Sequence, residues 1–190
     1  MRASHPTLVA ASRAIATNRD AMVKRWNEWL GERMTASRSL NRTIVEQQLR
    51  LIIDVLAAMI GPLRRETKAI WAQATEHYGR IAAVRGLAAG EVVEEMQYLR
   101  EVLIRHLAPS IAAMRPRQGM ALLLRLNRLV DRGVAMAVVG YTDALVHALI
   151  PSEEAGTNGA PTVDPLEVEQ QLNRIAQGLA AVTGTATPRR

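Results

Sequence analysis

From Ile70 to Leu107 the chain reads IWAQATEHYGRIAAVRGLAAGEVVEEMQYLREVLIRHL, two apolar stripes flanking a glycine-bracketed turn. Ile70, Ala74, His77, Ile81 and Val84 form the first stripe, and Val92, Met96, Leu99, Leu103 and His106 the second. Alternating four- and three-residue steps return to one side of an α-helix, whereas a strand needs a period of two. Gly86 suits the left-handed position that closes a helix, and Glu91 just after Gly90 suits the positive end of the next one. Glu76 and Arg80 are placed for an i,i+4 ion pair. The stretch predicts two helices, the first running from Leu63 to Arg85, packed as a hairpin about residue 88 and set in an all-α helical bundle.

The flanks repeat the pattern. Pro6 in a first turn marks a short helix over residues 7–16. Asn18 is a candidate cap for a helix from Arg19 to Met34 carrying Met22, Trp26, Trp29 and Leu30. Ser39 or Asn41 can cap the next helix, which carries Ile44, Leu49, Ile52, Ile53, Leu56 and Met59 and stops at Gly61-Pro62. Pro109 and the PRQG run at Pro116 predict a bend before a long helix from Gln118 to Leu149. The segment PSEEAGTNGAPTVD reads as a linker, after which Pro165 opens a tethered C-terminal helix. The expected organisation is an N-terminal segment (1–18), a helical domain (19–150), a linker (151–164), an amphipathic helix (165–182) and a disordered tail (183–190). That last helix carries Val168, Leu172, Ile175, Leu179 and Val182, only about two heptads, which is too little to stand alone. These five residues are the candidate partner-binding surface.

Composition narrows the function classes. Cysteine is absent, which removes disulfides, thiolate metal sites and a cysteine nucleophile. No stretch reaches about 18 uncharged apolar residues, and the N-terminal run is too weak for a signal peptide, so a cytoplasmic, non-membrane protein is expected. The net charge of +6 is front-loaded: Lys and Arg outnumber Asp and Glu by 12 to 6 over residues 1–70, and fall to 3 against 5 over residues 151–190. Arg64, Arg65 and Lys68 are the densest basic group, yet no helix-turn-helix or aromatic platform accompanies them, so nucleic acid is the third choice of partner.

No phosphate loop, nucleophile elbow or paired zinc-binding histidines occur. Glu94 and Glu95 diverge by about 100° on a helix and cannot act as one acid–base couple. In a hairpin centred near residue 88, His77 faces residue 99, about 10 Å along the axis from His106, which argues against a shared metal. His77, Arg80, Tyr98, Arg100, Asp131 and Tyr141 are the candidate ligand-binding set, a polar pocket between helices. The competing reading of Tyr78, Tyr98, Arg100, Asp131 and Tyr141 is a set of buried hydrogen bonds and an ion pair fixing helix register. Neither a catalytic residue nor a cofactor or metal is expected.

Trp71, the His77-Tyr78-Gly79-Arg80 run, Arg85-Gly86, Tyr98-Leu99-Arg100 with Leu103, and Leu129, Asp131 and Gly140-Tyr141 together resemble the N-terminal domain of RsbT co-antagonist proteins of the RsbRD type, over roughly residues 20–148. The resemblance implies a non-enzymatic sensory domain of stressosome-like proteins and some sensor histidine kinases, with a globin-like fold lacking haem. It further implies a homodimer that passes a signal through a C-terminal helix to a kinase, phosphatase or STAS-type output module. This chain departs from that plan, because only the linker and one helix follow the domain. A small-ligand or haem sensor and a basic DNA-associated protein are the alternatives.

Overall fold

A computed structural model describes residues 5–33, 42–149 and 164–185. Among them are seven helices and no strand: α1 (His5–Thr17), α2 (Arg19–Arg33), α3 (Arg42–Ile60), α4 (Lys68–Val84), α5 (Ala89–Ala112), α6 (Pro116–Leu149) and α7 (Pro165–Thr185). The protein is an all-α bundle with an aliphatic core, into which Trp26, Trp71 and Tyr78 are also fully buried. Ser39, Asn41, the linker up to residue 163 and residues 186–190 lie outside the described residues.

Local chemistry explains most helix ends. Gly86 adopts φ 71°, and the N–H groups of Gly86 and Leu87 donate to Ala83 O (2.8 Å) and Ala82 O (3.1 Å). This reciprocal pair closes α4 and needs a residue free of a Cβ at the left-handed position. The Glu91 carboxylate then accepts the Ala88 N–H at 2.6 Å, which starts α5.

Four boundary or packing expectations need correction. The Asn18 amide donates backwards to Ala14 O at 2.8 Å, so it closes α1 instead of capping α2. Helix α4 begins at Lys68, not Leu63, because residues 62–67 wind as turns in which the Thr67 hydroxyl and N–H both donate to Leu63 O. Pro109 does not end α5, which runs on to Ala112. It sits in the final turn, where its missing N–H costs a single ladder bond, and the chain turns at residues 113–115 just before Pro116.

The largest correction concerns pairing. Helices α4 and α5 do not lie along one another as a hairpin; the main neighbour of α4 is α6. Glycine makes that contact possible. A Cβ on Gly79 would lie 1.8 Å from Ala137 O, and one on Gly140 would lie 2.0 Å from Glu76 O. The two backbones therefore touch directly. One turn earlier, Gly133 leaves room for the Trp71 ring, whose Nε1 donates to Leu129 O at 3.1 Å. Around this pair, α3 packs on α1, α2 and α4, while α5 lies against α6, α1 and α2, and α7 crosses α3 and α4 from outside.

Candidate functional site

The most buried polar chemistry lies where α4 meets α5, and the sequence reading missed it. Arg85 donates both terminal nitrogens to Glu95, Nη1 to Oε2 at 3.0 Å and Nη2 to Oε1 at 2.7 Å, with side chains only 1% and 5% exposed. The Tyr78 hydroxyl donates to the same Oε2 at 2.5 Å. Burial alone would drive Arg85 toward its neutral form, but the Glu95 carboxylate beside it more than offsets this and raises its pKa. Burial, then Glu95, pushes the Tyr78 phenol well above its usual range, so it stays a donor. The group joins the C-terminal half of α4 to α5. Its chemistry is that of a lock, not of a reaction centre.

The six residues of the candidate ligand set do not converge on one pocket, and among them only Arg100 and Asp131 are hydrogen-bonded to each other. Arg100 of α5 pairs with Asp131 of α6 at the surface. Tyr98 stacks on Trp29 of α2, ring centroids 4.4 Å apart. The Tyr141 hydroxyl donates to Leu87 O at 2.8 Å, tying α6 to the α4–α5 turn. Arg80 pairs with Glu76 along α4, as the spacing requires. His106 Nδ1 bonds back to Val102 O at 2.8 Å, on a helix that barely touches α4. Arg64, Arg65 and Lys68 are exposed around the turn before α4.

His77 is the exception that leads to a surface of interest. It is 8% exposed and its Nε2 has no protein partner. Burial first, then the positive charges of Arg80 and of Arg174 on α7, push its pKa down to about 4. Between pH 6.5 and 4 the unfolded imidazole takes up a proton that the folded one refuses. The unfolded state then binds more protons, and stability falls as pH drops through that window. The full difference is roughly 3 kcal/mol. Urea titrations from pH 7 to 4 should show this loss in the wild type and a flatter profile in His77→Leu; equal slopes would contradict the assignment.

The cation facing His77 from outside α4 belongs to α7, which closes this seam. Val168, Leu172 and Ile175 are 1%, 5% and 3% exposed against α3 and α4, whereas Leu179 and Val182 are only partly buried. The candidate partner stripe thus sits on the chain's own body. Asp164 begins the helix, its carboxylate accepting the Leu166 N–H at 2.9 Å. Toward the far end α7 stands off from α1 and α3, leaving an open groove of about 440 Å³. Ala16, Ala57, Ala58, Leu179 and Ala180 line it, together with the half-buried carboxyl of Asp54.

The seat of α7 is narrow. Glycine within a helix costs about 1 kcal/mol relative to alanine. On α4 and α6 that cost brings backbone contact, but a Cβ on Gly184 would meet nothing within 4 Å, and one on Gly178 only Ile70 Cδ1 at 3.9 Å. Three buried side chains, each contributing about 1.5–3 kcal/mol, hold a helix that would be marginal by itself. No described helix is long and apolar enough to cross a membrane. No protein-family model, curated protein or solved structure matches this chain.

Proposed function

We propose that the protein is a non-enzymatic regulatory domain whose α7 alternates between its seat on α3 and α4 and a partner protein. The observation that carries this reading is the narrow, glycine-weakened seat of α7, beside a body locked by buried polar bonds and direct backbone contact. A tethered helix of this kind meets its own seat at high effective concentration, so a partner must compete with it, and anything that loosens the seat raises partner occupancy. The resemblance to RsbRD-type N-terminal domains supports a kinase, phosphatase or STAS-type protein as that partner and a homodimer as the working unit.

Tagged full-length protein captured from its host tests the proposal against two variants. Leu172→Glu with Ile175→Glu should abolish capture of the output protein, because the same stripe serves both docking modes. Gly178→Ala with Gly184→Ala should change the amount captured while leaving the partner's identity unaltered. Undiminished capture by the stripe variant would sink the relay. A second reading, a small-molecule sensor, is favoured by the groove beside α7: an apolar ligand filling it would complete the packing of Leu179. A ligand-dependent rise in melting temperature that is lost in Ala58→Trp would support that alternative.

A further inference from the structure

Three helices end around the groove beneath the far end of α7. Ala16 lies one residue before the end of α1, Ala58 two before the end of α3 and Thr183 two before the end of α7, and all three line it. None of these helices carries a basic residue in its last turn. A helix C-terminus carries roughly half a negative charge, so the groove lies in a field that favours a cation. At α3 the Arg125 guanidinium offsets this, donating to Met59 O at 3.3 Å and Gly61 O at 3.1 Å. At α1 the donor is the neutral Asn18 amide, on Ala14 O. Asp54 adds a whole charge. It shares Arg19 with Asp20, while Arg50 serves Asp20 and Glu46, so this network sets three carboxylates against two guanidinium groups. The Arg19–Asp54 contact, at 3.3 Å, is its longest. Burial pushes the Asp54 carboxyl above its ordinary value in spite of Arg19. Arg64 and Arg65, just past the lining residue Leu63, are exposed, where water and salt screen them.

We infer that the groove binds an organic cation, a primary ammonium carried on an aliphatic body, and that its occupancy fastens α7 to the domain. The volume of about 440 Å³ is that of a small-ligand site, and the alanines and leucines of the lining give the body an apolar wall. An ammonium has three protons to place and accepts none. The Asp54 carboxylate takes one, and the Ser12 and Thr183 hydroxyls are the other side-chain oxygens of the lining. Thr183 Oγ donates its own proton to Leu179 O at 3.0 Å, which leaves its lone pairs to accept. A carboxylate on the same body would meet Asp54 and the α1 terminus, both of its own sign. Helix α7 supplies Ala176, Leu179, Ala180 and Thr183, so the ligand touches it only in its seated position. Ligand and released helix therefore exclude each other, and binding lowers the share of α7 open to a partner. The inference rests on the small-molecule reading of the groove and adds to it a preference for positive charge.

Calorimetric titration of the full-length protein at neutral pH with octylammonium, 1-octanol and octanoate separates charge from shape. Octylammonium should bind about tenfold tighter than octanol, and octanoate more weakly than either. Asp54→Asn, at a half-buried position, should keep the circular dichroism of the wild type, lose that preference and leave octanol binding unchanged. Saturating octylammonium should slow amide exchange of α7 about tenfold and leave α5 unaltered. Equal affinities for octylammonium and octanol would overturn the inference and leave the groove an apolar ligand site. No binding of any of the three at roughly 1 mM would overturn both the inference and the small-molecule reading beneath it. Octylammonium binding that survives Ala58→Trp, or that leaves α7 exchange unchanged, would place the cation elsewhere and overturn the inference as well.

Discussion

Replacing Glu95 by alanine is expected to cost about 3–5 kcal/mol and to lower the melting midpoint by roughly 10 °C, the largest loss from any single polar change in this chain. The reason is asymmetry. Arg85 is held charged in the interior by two hydrogen bonds to Glu95, and Tyr78 finds its acceptor on the same carboxylate. Removing the carboxylate takes the counter-charge from a buried cation and the acceptor from a buried hydroxyl at once. Arg85→Met should be nearly as harmful, because it leaves a buried carboxylate with no opposite charge and only the Tyr78 hydroxyl as donor. Replacing all three groups, with Tyr78→Phe, Arg85→Met and Glu95→Leu, should recover most of the loss, since an apolar cluster of similar volume has no desolvation cost to offset. Thermal melts of the singles and the triple check this; additive losses would show that the three groups do not act as one unit.

Gly79→Ala should be at least as damaging, above about 4 kcal/mol, and is expected to yield little folded protein. A methyl group there would need the space held by Ala137 O and C, at 1.8 and 2.6 Å, and both belong to helix backbone that cannot swing aside as a flexible side chain can. The two central helices would have to part along their length, and Trp71 would lose its bond to Leu129 O. Gly184→Ala, in the same residue type but on α7, should be neutral or stabilising by up to about 1 kcal/mol, because nothing lies near the added group. Denaturant midpoints of the two variants give the comparison. A Gly79→Ala protein within about 1 kcal/mol of the wild type would contradict the backbone-contact account of α4 and α6.

What was legible in the sequence was local. The apolar stripes located six of the seven helices and Pro6 marked the first, while Gly86 and the Gly61-Pro62 stop marked two ends because glycine and proline act on their own backbone. Pro109 misled because the harm a proline does depends on where the helix ends: in the final turn of α5 little helix remains beyond it. The hairpin of α4 with α5 misled for a different reason. A short connection and matching stripes suit two neighbouring helices, but α4 is buried on more than one side, and its closest partner lies more than fifty residues along the chain. The signal for that partner was present as Gly79, Gly133 and Gly140 inside helical patterns, although glycines do not name the surface they approach.

The candidate site divides along the same line. The stripe of α7 was readable as an amphipathic face, and the structure seats its first three members on α3 and α4. The six-residue ligand set scattered because polar residues on different helices share no local code for meeting; Arg100 and Asp131 found each other, and Tyr98 and Tyr141 found Trp29 and Leu87. The Arg85–Glu95–Tyr78 group went unread because its members are ten and seventeen residues apart and lie across a turn whose geometry decides whether they meet.

Amide hydrogen exchange on the full-length wild type, followed peptide by peptide at neutral pH, tests the central claim that α7 opens independently of the body it rests on. Helix α7 from Val168 to Val182 should exchange at least roughly 100-fold faster than the buried turns of α4 and α6, with α3 peptides beneath it gaining exchange only at their α7-facing edge. Protection of α7 equal to that of α4 and α6, lost only when the whole domain unfolds, would mean that the helix is a fixed part of the core and would contradict the relay.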